Sequence, residues 1–151
     1  MQKGGPLLIL AAALLALTPI TRAETPPPDP DTREMLRLPL DERDMVLREM
    51  RNFVVAIHTI TNGLVNENTD TVAAAARKMG SGAANQIPPR VVAKLPERFK
   101  ELAGKVHTTF DAIAMDAEGF GDTQHTLEQL SELTRHCIAC HATYQIREER
   151  P

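Results

Sequence analysis

From Val46 to Leu64 the apolar residues Val46, Met50, Phe53, Ile57, Ile60 and Leu64 return at steps of four, three, four, three and four. Only an α-helix with a single apolar stripe satisfies that spacing, because 3.6 residues per turn bring i, i+3 and i+4 to one face. Such a stripe has to be buried against other elements. Two more seams of the same period follow: Phe99, Leu102, Val106, Phe110, Ile113 and the 117–119 stretch, then Leu127, Leu130, Thr134, Cys137, His141 and Tyr144. A shorter helix is expected from Asp70 to Met79, with Val72, Ala75, Ala76 and Met79 facing inward. No stretch alternates with a period of two for long enough to predict a strand. The chain reads as all-α, an antiparallel four-helix bundle with short connections.

Punctuation supports the helices. Asp41 is placed to cap the first and Asp44 to add negative charge to its opening turn. Glycine and the paired prolines of residues 80–89 mark a loop, and residues 90–95 suit one helical turn. Pro96 fits the first position of the third long helix, and Asp122 the cap of the last.

The N-terminus has a different character. Lys3 precedes an uncharged run from Leu7 to Leu17, and Thr21-Arg22-Ala23 puts small residues three and one before a cut after Ala23. This is the pattern of a secretory signal peptide over residues 1–23. The run is shorter than the ~20 residues a membrane-spanning helix needs, and no later segment is long and apolar enough to span. Residues 24–37, rich in proline, are expected to be a mobile leader, with the folded bundle over 38–151. Cleavage would remove Lys3 and Arg22 and no acid, leaving 15 basic residues against 20 acidic. An acidic, exported domain without a basic stripe argues against a nucleic-acid partner. The expected location is the periplasm.

Export sharpens the question raised by the only two cysteines, which would ordinarily be read as one disulfide. Cys137 and Cys140 stand three apart with His141 directly behind the second, at i, i+3 and i+4 of the last helix. Cys-x-x-Cys-His is the attachment signature of c-type haem. Two thiols one helical turn apart can each form a thioether to a haem vinyl group, and the adjacent imidazole then lies under the iron as its proximal ligand. The alternatives are weaker in chemistry. A disulfide between i and i+3 of a helix has poor geometry and closes a very short loop. A thioredoxin-like pair belongs to a βαβ setting. Zinc would need a fourth strong ligand, for which His136 or His58 is available. Composition agrees with a cofactor core: four phenylalanines, one tyrosine and no tryptophan leave room for a flat group.

The export signal, the helical pattern and the segment CIACHATY close to the C-terminus resemble cytochrome c′ and its low-spin, methionine-ligated relatives. Ordinary small cytochromes c carry this motif near the N-terminus, so its position is the discriminating feature. The resemblance implies a left-handed four-helix bundle whose last helix holds one haem c covalently, often as a homodimer packed through the first two helices. It also implies that the first helix faces the other side of the haem, with a methionine ligand in low-spin members and an unbound apolar residue in five-coordinate ones. Met50 on the inner seam is the first candidate for a sixth ligand and Met45 beside it the alternative; gap-filling core is the ordinary role of either. One position departs from the family pattern. Family members often carry arginine four residues after the haem histidine, where this chain has Gln145, with Arg147 two further on.

His58, His107, His125 and His136 read as surface or rim histidines, and Met79 and Met115 as core. Arg48, Arg51, Arg77 and Lys78 lie near enough in the helical pattern to answer haem carboxylates. With no acid, base or nucleophile constellation beside the haem motif, the chain is expected not to be an enzyme. The leading expectation is a periplasmic monohaem cytochrome passing one electron between redox partners. The alternative is a five-coordinate haem protein that binds nitric oxide or carbon monoxide, and a third reading is a helical bundle with a plain thiol pair.

Overall fold

A computed structural model describes residues 30–149. The expected signal peptide and the leader as far as residue 29 lie outside the described residues. The described chain is mostly helical: β1 (Glu34–Leu38), α1 (Leu40–Val65), α2 (Thr69–Arg77), α3 (Ser81–Ala84), α4 (Pro89–Val92), α5 (Glu97–Gly119), α6 (Thr123–Thr143) and β2 (Tyr144–Glu148). The folded unit begins at Thr32, so it takes in residues that the sequence assigns to the leader.

Helix α1 follows directly on Pro39, whose φ of −50° suits a helix entrance and whose side chain makes no capping bond. Asp41 lies inside the first turn instead of capping it, so it complements the positive helix end by charge alone. Asn68 caps α2 by accepting from the Thr71 amide at 2.8 Å. Asp122 caps α6 as expected, accepting from the amides of Gln124 and His125 at 2.8 and 3.1 Å. Pro96 precedes α5 as its cap residue and is not its first helical residue.

Helix α1 packs on α2, α2 on α5 and α5 on α6. The seam residues Ile60, Val72, Phe110, Ile113 and Leu133 are fully buried where these helices meet. A Cβ on Gly63 would meet the Val72 side chain at 2.9 Å, so a glycine is what lets α1 and α2 approach this closely. Two assignments to the interior are corrected. Leu127 is 45% exposed and Met115 is 65% exposed. On α6 Leu130 is buried as expected, while Thr126 and Leu133 are buried in place of the neighbouring Leu127 and Thr134.

The two strands are the element the sequence did not predict. β1 and β2 pair in parallel, with Glu34 opposite Tyr144 and Leu38 opposite Glu148. Leu36, Leu38 and Tyr144 turn into a second apolar cluster that includes Val46, Val91 and Phe99. The pairing joins the entrance of α1 to the exit of α6. From Leu38 back to Glu34 the strand covers ~13 Å at ~3.3 Å per residue. From Leu40 to Met50, α1 covers ~15 Å at 1.5 Å per residue. Met50 and Tyr144, the first residue of β2, line one cavity.

Candidate functional site

Cys137, Cys140 and His141 occupy the last two turns of α6. Both cysteines are half-buried and free, and no disulfide joins them. His141 is exposed, at the rim of the face and not within the seam where the sequence places it. Tyr144, expected on the inner face of the same helix, instead ends the helix and begins β2, where it is buried. Its ring meets Phe99 edge to face, with centroids 5.6 Å apart.

Two adjoining cavities use this motif as a wall. A narrow one of about 60 Å³ lies between α1, α5 and α6, and Met50, Phe53, Leu102, Cys137, Cys140 and His141 are among its lining residues. An outer one of about 250 Å³ opens beside it, lined among others by Leu47, Met50, Cys140, His141 and Tyr144. Met50, Phe99, Cys140 and His141 belong to both. Two thiols, an imidazole and a thioether therefore border one cleft. Met45 packs in the same apolar cluster as Met50 and Cys140 but lines neither cavity.

Burial pushes the thiols of Cys137 and Cys140 up from their ordinary range; for Cys140 the neighbouring Cys137 adds to the effect. Raised thiols stay protonated and are poor nucleophiles at neutral pH, the opposite of what an activated thiol catalyst needs. No protein family profile, curated protein or solved structure matches the chain.

Of the basic residues beside the cleft, Arg33 was missed in the sequence and Arg147 was noted only as two positions beyond Gln145. Arg33 and Arg147 line the outer cavity, and Arg33 also donates to the His141 carbonyl at 3.4 Å. Gln145 bridges them, its Nε2 donating to the Arg33 carbonyl and its Oε1 accepting from Arg147 Nε at 3.0 Å. Neither Arg48, Arg51, Arg77 nor Lys78 borders this cleft; Arg77 is paired with Glu118 on the surface and Lys78 lines a separate cavity. The strand pairing brings the two ends of the described chain, and with them Arg33 and Arg147, to one cavity.

The histidines divide. His58 and His125 are exposed, and His136 pairs with Glu132 at 3.1 Å. His107 is corrected: it is 4% exposed and buried between α1 and α5. Its Nδ1 lies 2.7 Å from the Met79 carbonyl oxygen, and the ring sits edge-on to Phe53. Glu49 faces its other nitrogen at 3.6 Å, and burial holds the Glu49 carboxyl above the ordinary carboxylate range despite that neighbour. Among the described residues no group of three or more histidine, cysteine, aspartate and glutamate side chains converges on one point.

Proposed function

We propose that this chain is an exported monohaem c-type cytochrome that carries single electrons between periplasmic redox partners. The observation that carries the reading is that Met50 and the Cys137–Cys140–His141 motif, from opposite ends of the described chain, border one cleft. Haem c supplies a one-electron iron centre, a chemistry that no side chain of this protein has. Cys137 and Cys140 would hold it by thioethers, His141 would be the proximal ligand and Met50 the ligand opposite.

The local chemistry fits that cofactor. The thiols are half-buried and protonated against an apolar wall of Phe53, Phe99 and Leu102. His141 at the rim and Met50 inside approach the cleft from different helices. A His/Met pair favours the reduced state and raises the potential, as electron carriage requires. Arg33 and Arg147 at the mouth suit the carboxylates of a haem better than the four basic residues considered from sequence.

In this reading α1, α2, α5 and α6 form an antiparallel four-helix bundle of the cytochrome c′ type, with the sheet as an addition to it. Short turns joining α1 to α2 and α5 to α6 support that arrangement. Val54 and Val55, exposed on α1, suit a homodimer packed through the first two helices. The protein would transfer electrons and not turn over a substrate.

The test is covalent haem. Expressed with haem-attachment machinery, the protein is expected to keep a haem-stained band through denaturing electrophoresis, and Cys137→Ala with Cys140→Ala together to lose it. A colourless product from the unaltered chain would overturn the reading.

A further inference from the structure

The end of the molecule away from the cleft carries an exposed apolar surface that the functional reading does not use. It is built from the turn between α1 and α2 and the turn between α5 and α6. The two turns touch: a Cβ on Gly121 would lie 3.0 Å from Thr69 Cγ2. From Thr123 at this end to Cys140 at the cleft, α6 runs ~25 Å at 1.5 Å per residue. An inference drawn here therefore does not rest on the haem reading.

Phe120 is 84% exposed at this end and Val65 77%. The chain has four phenylalanines and no tryptophan. Phe99 and Phe110 are buried and Phe53 packs against the core, so Phe120 is the one phenylalanine given to solvent. Met115, near the end of α5, and Leu127, near the start of α6, are exposed as well. A single apolar residue in water is ordinary, but several at one end, rimmed by charge, have the composition of a protein contact.

The rim is of one sign. Residues 62–72 and 115–128 hold Glu67, Asp70, Asp116, Glu118, Asp122 and Glu128 and no lysine or arginine. Elsewhere in the described chain basic side chains slightly outnumber acidic ones, so the negative balance comes from this end. Part of that charge is used within the fold: Asp122 caps α6, Arg77 pairs with Glu118, and Asp116 meets His125 at 3.1 Å. Glu67 and Asp70 are exposed, and no ion pair engages either among the described residues. Glu67 also has a φ of 52°, a left-handed backbone that glycine adopts at lower cost.

Charge decides what can cover this surface. Anionic lipid and nucleic acid are repelled by it. A second copy meeting it end to end about a twofold axis would bring the same carboxylates face to face. A basic protein surface is attracted, and Phe120 and Val65 then gain by leaving water. We infer that this end of the molecule docks a partner protein that presents an apolar hollow rimmed by lysine or arginine, with Phe120 seated in the hollow. Such a contact leaves the cleft at the other end of α6 uncovered.

Two-dimensional NMR of the isotope-labelled, purified full chain tests this, with a helical peptide of leucine and lysine, its leucines on one face, as the probe. The expected result is saturable shifts confined to residues 64–71 and 117–124. A peptide with glutamine in place of every leucine should bind at least tenfold more weakly, and one with glutamate in place of every lysine should not bind. Phe120→Ser changes a side chain that stands mostly in solvent, so it should fold and weaken binding at least fivefold. Glu67→Gly removes one charge and relieves the backbone, so it should fold and weaken binding at least twofold. Absence of binding, shifts scattered over the chain, equal affinity for the glutamine peptide, or binding unchanged in Phe120→Ser would overturn the inference. Shifts at this end on adding phosphatidylglycerol vesicles would overturn it in favour of a membrane contact. Self-association that Phe120→Ser abolishes would overturn it in favour of a contact between copies.

Discussion

Met50 of α1 and His141 of α6 share the walls of two adjoining cavities, although α1 and α6 are not among the helix pairs that pack closely. The parallel pairing of β1 with β2 sets Glu34 opposite Tyr144, next to this wall. A sixth ligand from α1 is therefore expected to be Met50 and not Met45. Met50→Ala should turn a low-spin oxidised spectrum high-spin and open the iron to carbon monoxide, and Met45→Ala should leave both unchanged. The reverse pattern would move the ligand to Met45.

His141→Ala should keep covalent haem, because both cysteines remain, but lose the normal reduced spectrum. Cys140→Ala leaves one thiol and is expected to lower the yield of attached haem several-fold. Haem staining and the reduced spectrum, taken together, separate the two defects. An unchanged spectrum in both variants would dismiss the site.

The strand pair is expected to contribute to stability at the end that carries Cys140 and His141. Leu38 is 1% exposed, and Leu38→Ala should cost ~2–5 kcal/mol, the usual range for removing a buried leucine side chain. Denaturant unfolding measures this. A change under about 0.5 kcal/mol would show that β1 is not part of the cooperative fold.

Asp111 predicts a pH dependence. The Ser81 hydroxyl, then the Ser81 amide, hold its carboxyl below the ordinary aspartate value of 3.8. A carboxylate depressed in the folded state adds stability that is present above the unfolded value and lost as pH falls through the folded one. Asp111→Asn keeps an acceptor and removes the charge, so it should cost ~1 kcal/mol at pH 7. The difference from the unaltered protein should shrink as pH falls below 3.8. A gap that stays constant down to pH 2 would contradict this account.

The long helices were legible because each repeats its apolar residues over several turns; the buried residues of α5 include every apolar residue from Phe99 to Ala117 that the period selected. Phase failed on α6, where Thr126 and Leu133 are buried instead of Leu127 and Thr134, because polar threonines interrupt its apolar stripe; Met115, taken as core from its residue type alone, faces solvent. The strands were illegible for another reason. Five residues each, Glu34–Leu38 and Tyr144–Glu148, are too short to establish alternation, and each finds its partner at the far end of the chain. His107 was misread because its burial depends on Met79 and Glu49, which come from other elements. The cysteine–histidine motif needed no tertiary information, since helical spacing alone groups its three side chains. Its pairing with Met50 required the fold.

The most direct test of a haem cleft bordered by Met50 and His141 is the optical spectrum of the matured protein, oxidised and dithionite-reduced, with and without carbon monoxide. A sharp reduced α-band and a weak long-wavelength absorption in the oxidised state, both indifferent to carbon monoxide, are the predicted result and mean His/Met ligation. A broad high-spin spectrum that shifts on adding carbon monoxide would contradict ligation by Met50 and favour a five-coordinate, gas-binding haem.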